Sequence, residues 1–213
     1  SEIKPAPDQC LVPETRPGSI WMPGFVDTHI HFPQTRVIGS ASGPLLDWLE
    51  KTIFPEEARF RESAYAQLVA DEFCQSMVSN GTVAAAIYSS SAPSATQILF
   101  ETMARFGLRG LVGLTLMDRM APKDVLLDAD RALHAARELA EQWHGFDNGR
   151  LEFCITPRFA ISCTPALLSG AAKLAHELNL PVQTHISENH QEISTVNHLF
   201  PRHEHYLDVY NQF

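Results

Sequence analysis

Residues 22–31 read Met22-Pro23-Gly24-Phe25-Val26-Asp27-Thr28-His29-Ile30-His31. A Pro-Gly turn opens the stretch, an apolar pair follows, and two histidines arrive on alternate residues. The run 24–31 is predicted as a strand, with Phe25 and Val26 buried. Side chains two apart on a strand share a face. His29 and His31 are thereby placed to reach one point, while Ile30 turns the other way into apolar packing. Neutral imidazole is the commonest metal-binding side chain. A bare His-X-His also occurs as two polar residues at a solvated strand end. The turn, the apolar pair and the Asp-Thr lead-in favour the metal-binding alternative.

Downstream, the apolar pattern alternates between helical and extended periods. Helices are predicted over 44–52, 55–79, 95–106 and 124–143, and from a Thr164 cap to 178. Strands are predicted over 82–88, 109–117, 151–156 and 180–186. With the first strand this makes five strand–helix alternations, which require a parallel sheet with helices outside it. The chemically loaded residues stand at the ends of the first, fourth and fifth strands. Active sites of TIM-type (β/α)8 barrels lie at that end. Closure takes eight such units and roughly 250 residues, so an incomplete barrel, about two thirds of the way round, is expected. A doubly wound open sheet is the structural alternative, weakened because no glycine-rich phosphate loop follows the first strand. Residues 1–19, with Pro5, Pro7, Pro13 and Pro17, read as an extended lead-in or the remnant of a small β-domain. Residues 20–213 read as the partial catalytic barrel. The lack of an initiating Met points to a trimmed chain or a fragment.

Composition narrows the function classes. The chain has 213 residues, of which 45% are hydrophobic and 19% charged, an ordinary mixture for one domain with a core. Sixteen basic residues face 25 acidic ones, a net charge of -9 with no basic run. That argues against nucleic acid as partner, because phosphate backbones are bound by clustered Lys and Arg. A small uncharged metabolite fits better. Cys10, Cys74, Cys154 and Cys163 form no C-x-x-C pair, so neither a zinc ribbon nor a thioredoxin-type site is indicated. Buried free thiols in a reducing compartment are expected instead. No apolar run approaches the ~18 residues of a membrane span, and residues 1–9 lack a signal-peptide core.

A second loaded stretch is Val182-Gln183-Thr184-His185-Ile186-Ser187-Glu188-Asn189. His185 at a strand end is a candidate third metal ligand. Glu188, three residues on, is suited to carry protons to and from an activated water. Taken singly, His185 reads equally as a capping residue and Glu188 as a helix N-terminal acid; their placement opposite His29 and His31 favours the functional reading. Arg158, in Thr156-Pro157-Arg158-Phe159, offers a planar fork to a ligand carbonyl. Phe159 offers a face for a flat ring. Gln34, three past His31, both donates and accepts, which suits the edge of a heterocycle. The second His-X-His, His203-Glu204-His205, reads as the exposed start of a helix, since no strand delivers it. His134, His144, His176, His190 and His198 read as helix-surface or helix-end residues.

Four stretches carry a resemblance to the amidohydrolase superfamily: 22–34, MPGFVDTHIHFPQ; 44–55, PLLDWLEKTIFP; 155–163, ITPRFAISC; and 184–189, THISEN. The second and third resemble its guanine-deaminating branch more closely. The resemblance implies a metal-dependent barrel with one ion per site, usually Zn2+, with Fe2+ also compatible. It implies that His29, His31 and His185 are metal ligands, that Glu188 is the proton shuttle, and that Gln34, Arg158 and Phe159 hold the purine. The implied reaction is hydrolytic loss of ammonia from guanine by metal-activated water, giving xanthine. A homodimer in the cytoplasm is implied as well. The family pattern also includes a histidine after a sixth strand and an aspartate after an eighth, beyond Phe213. An isolated chain is therefore expected to retain metal weakly and to turn over poorly. The H-x-E and P-C-x-x-C signatures of the nucleoside deaminases are absent. Deamination or dechlorination of a pterin, triazine or other aminopurine stays open, as does a non-catalytic barrel fragment.

Overall fold

The computed structural model describes Gly18 and residues 20–213. The lead-in expected over 1–19, and Cys10 within it, lies outside the described residues apart from Gly18. The first strand is β1 (Phe25–His31), followed by β2 (Thr82–Tyr88), β3 (Arg109–Gly113), β4 (Thr115–Leu116), β5 (Leu151–Phe153) and β6 (Thr156–Pro157). All strand pairings in the two sheets are parallel, in the orders β1-β2-β3-β5 and β4-β6. With β3 and β4 taken as halves of one strand, and β5 and β6 as halves of another, each strand lies beside the next one in the chain. That is the order of a barrel wall; a doubly wound sheet reverses direction at its centre.

Two predicted strands are each split. The run 109–117 breaks at Leu114 and the run 151–156 breaks at Cys154, where the β3–β5 ladder gives way to the β4–β6 ladder. Gly113 sits just before the first break: a Cβ there would collide with the Thr156 Oγ1 and meet the Cys154 carbonyl at 2.8 Å. No side chain fits so close an approach.

The predicted fifth strand, 180–186, is not a regular strand. It makes one isolated parallel bridge, Ile155 to Val182. The Ile155 amide donates to Pro181 and the Gln183 amide donates to Ile155, at 2.9 and 3.0 Å. The next ladder donor on that side would be residue 157, and Pro157 has no N–H. The register then slips by one, and the His185 amide donates to the Arg158 carbonyl at 3.0 Å.

The burial expected for Phe25 and Val26 is also corrected: they are 53% and 65% exposed. β1 is an edge strand, and among the described residues nothing covers that part of it. A register irregularity between Asp27 and Ile30 inserts an extra residue into β1. The Asp27 carboxylate accepts the His29 amide there, at 3.0 Å.

The helices are α1 (Leu45–Trp48), α2 (Phe54–Ala58), α3 (Ser63–Ser79), α4 (Pro93–Phe106), α5 (Ala129–Trp143), the single turn α6 (Phe146–Gly149), α7 (Pro165–Leu178), α8 (His190–Leu199) and α9 (Tyr206–Asn211). The helix predicted over 55–79 is two helices, because Glu62 is extended (φ -86°, ψ 111°). Its predicted start at Pro55 lies inside a helical run that begins at Leu45. Pro55 lacks the N–H that a regular turn needs, and the wide turn Leu49–Ile53 precedes it. The helix predicted over 124–143 starts later, where the Asp128 side chain accepts the Arg131 amide. The Thr164 cap is present, accepting the Leu167 amide. Between helices and sheet lies a core that includes Phe32, Phe60, Phe100 and Phe153, all fully buried. Cys74, Cys154 and Cys163 are buried free thiols, as expected. Burial pushes each of the three up to about 12, which makes them poor nucleophiles. No described helix is long and apolar enough to cross a membrane.

Candidate metal centre and its cavity

His31 is the last residue of β1, and His185 follows the bridge that lies against β6. Their Nε2 atoms are 3.0 Å apart, and the Nε2 of His29 is 3.3 Å from that of His185. Among the described residues these three are the group of His, Cys, Asp and Glu atoms placed to hold a metal ion. The spacing is itself informative. Two nitrogens each 2.0–2.1 Å from a tetrahedral zinc lie about 3.3 Å apart. Three imidazole nitrogens converging at such distances match the ligand spacing of a tetrahedral cation, so the donor set fits a metal ion.

The second nitrogen of His185 is already used. Its Nδ1 lies 2.7 Å from the Arg158 carbonyl oxygen, to which it donates. That bond fixes the tautomer and leaves the Nε2 lone pair facing the cluster. Burial holds His185 down to about 4, with the Arg158 guanidinium and His29 acting the same way and the carbonyl opposing them. His31 is held well below the ordinary histidine value by burial, Arg158, His185 and His29. Both rings are neutral at pH 7, the form that binds metal.

A cavity of about 250 Å³ opens onto the cluster, lined by His29, His31, Gln34, Leu45, Trp48, Leu49, Arg158, Phe159, His185 and Glu188. Every residue singled out in the sequence as a site candidate is on that wall. Gln34 ends the tight turn Phe32–Gln34 that follows β1. Arg158 and Phe159 follow β6, and both are 4% exposed. Glu188 lies in a turn where Ser187 adopts φ 57°. The Glu188 amide donates to the Glu192 carboxylate at 2.7 Å. Partial burial, with Glu192 nearby, raises the Glu188 carboxyl above its ordinary value. His205 caps α9, and the His203-Glu204-His205 motif is not part of the cavity.

Four features escaped the sequence reading. Tyr88, the last residue of β2, lies against all three histidine rings, with centroids at 4.9, 4.7 and 4.3 Å from His29, His31 and His185. Its place at a strand end was a readable signal. Glu57 of α2 binds Arg158 from 101 residues away, and no local pattern announces that contact. Leu45, Trp48 and Leu49 form an apolar wall from what reads locally as an ordinary amphipathic helix. Tyr210 of α9 donates to the His185 carbonyl at 2.8 Å and accepts from the Ala160 amide at 2.9 Å.

The model of the amidohydrolase family matches residues 20–213. Guanine deaminase of Escherichia coli (strain K12) is 40% identical over 208 residues, which are 97% of this chain and 47% of that protein. The chain thus spans about half the length of the curated relative. A crystal structure of guanine deaminase from C. acetobutylicum, with guanine bound in its active site, superposes with a TM-score of 0.87 at 32% identity. That match covers 90% of this chain and 46% of the other. A zinc-bound adenosine deaminase from Xanthomonas campestris shares the fold at 23% identity and a TM-score of 0.75, over 90% and 42% of the two chains.

Proposed function

Because the chain belongs to the amidohydrolase family, we propose that it is part of an enzyme that hydrolyses guanine to xanthine and ammonia. The observation that carries this reading is the single cavity joining three convergent imidazoles to Gln34, Arg158, Phe159 and Glu188. The similarity to a guanine-bound enzyme supports the choice of purine. His29, His31 and His185 hold one ion, for which we propose Zn2+, Fe2+ being the alternative. When bound, such an ion would lower the pKa of its water towards about 7.

The chain's own groups do the rest. Phe159 stacks on the purine ring, and Gln34 donates to and accepts from its edge. Arg158 donates to the ring carbonyl oxygen. Adenine carries an amino group at that position and leaves the guanidinium unpaired, which is costly in a closed site. Glu188 takes the proton of the attacking water. It passes it to a ring nitrogen, then takes a second proton from the newly added hydroxyl and delivers it to the departing amine, so that ammonia leaves as the second carbonyl forms. A carboxyl raised by burial is suited to both directions of transfer. The enzyme is proposed to act as a cytosolic homodimer. Buried free thiols support a reducing compartment.

The test is ammonia release by the full-length, metal-loaded protein from guanine, adenine, a pterin and a triazine. Guanine turnover at least a hundredfold above the others is expected. Turnover of the pterin or triazine without guanine overturns the substrate assignment. An intact protein holding well under one ion per site points instead to a non-catalytic barrel.

A further inference from the structure

Arg158 does not face the cavity alone. Its Nη1 donates to both carboxylate oxygens of Glu57, at 2.8 and 2.7 Å, and both side chains are buried. The Phe54 ring lies 5.3 Å from the guanidinium carbon. Among the described residues no acceptor engages Nε or Nη2, so the far edge of the fork is left for a ligand. A buried ion pair is a poor device for stability, because desolvation offsets most of the Coulomb gain. Two charges kept there, one edge engaged and the other free beside a cavity, point to a different purpose. Resting on the proposed function, we infer that Glu57 is a positioning and specificity residue. It holds the Arg158 guanidinium at the ring carbonyl and cancels its charge, so that the site prefers a neutral purine to an anionic one.

The consequence concerns the product. Deamination exchanges an amino group for a second carbonyl, and this makes xanthine the more acidic purine. An uncompensated guanidinium would attract the xanthine anion and slow its release. With Glu57 opposite, Arg158 reads a carbonyl by hydrogen bonding and exerts little net pull on charge.

The test uses the full-length metal-loaded enzyme and compares wild type, Glu57→Gln, Arg158→Met and the double variant. Guanine KM and xanthine inhibition are measured from pH 6 to 9, and equilibrium dialysis measures xanthine against guanine binding. Glu57→Gln is expected to raise the guanine KM about tenfold. It is also expected to tighten xanthine about tenfold at pH 8.5 and less at pH 6. In the Arg158→Met background the same change is expected to shift both by less than twofold, the sign of action through Arg158. An unchanged xanthine-to-guanine ratio at every pH overturns the inference, and so does an equal effect without Arg158. If Glu57→Gln does not fold, Glu57→Asp decides. It keeps the charge and should raise the guanine KM while holding xanthine discrimination within twofold; a collapse of that discrimination overturns the inference. A wild type inactive on guanine overturns the proposed function, while the dialysis ratio still decides Glu57.

Discussion

The Arg158 carbonyl oxygen accepts both from the His185 amide, at 3.0 Å, and from the His185 Nδ1, at 2.7 Å. One peptide oxygen thus anchors the backbone and the ring of the same imidazole. It also couples the proposed metal centre to the proposed purine clamp, since the side chain of Arg158 lines the cavity whose back its carbonyl supports. A shift of the segment after Pro157 would disturb both at once.

Removing His185 removes the most buried of the three imidazoles, 8% exposed. His185→Ala in the full-length protein is expected to weaken zinc binding by more than about 100-fold, beyond what loss of a supporting contact costs. Competition with a chromophoric chelator reads the affinity. An unchanged affinity would remove His185 from the metal site.

The metal-free protein is expected to lose stability as pH falls from about 6.5 to about 4. His185 titrates near 4 in the folded chain and near 6.5 when unfolded. Between those values the unfolded state binds the extra proton, so acidification favours unfolding. His31, also held low, acts in the same direction. The His185 contribution is on the order of 3 kcal/mol. Thermal melts of the wild type and His185→Asn across this range check it: the variant should show the shallower slope.

Glu188→Gln keeps shape and removes the transferable proton. Turnover of guanine by the full-length enzyme is expected to fall about 10²- to 10⁴-fold, with zinc content unchanged. Paired metal analysis and initial rates decide this. A variant that retains its rate excludes Glu188 as the shuttle.

Tyr210→Phe deletes the hydroxyl that joins α9 to the His185 carbonyl and the Ala160 amide. Its loss leaves buried polar groups unpaired, at a cost of about 1–3 kcal/mol. Denaturant titration measures that cost, and chelator competition should show zinc affinity reduced about tenfold.

Gly113→Ala is expected to destabilise by about 3 kcal/mol, since the added Cβ collides with backbone at Cys154 as well as with Thr156. A melting temperature within a degree or two of wild type would contradict the close approach at Gly113.

The alternation of helical and extended periods was enough to place β1, β2 and the long helices, because burial on one face writes its period into the chain. The His29–Ile30–His31 spacing likewise carried its meaning locally. The failures were non-local or backbone effects. The split strands depend on how close Gly113 and Thr156 approach. Phe25 and Val26 look buried by composition, and only the identity of a strand's neighbours decides whether they are.

By itself the sequence determined the fold class, the family resemblance and the list of chemically capable side chains, since each follows from short-range pattern. Tertiary structure alone decided that His185 meets His29 and His31 through their Nε2 atoms, that Pro157 ends a ladder and slips its register, and that Glu57 backs Arg158. The histidine and Glu57 contacts join residues about a hundred or more positions apart, and all of these distances are set by packing of the whole core, which no local pattern encodes.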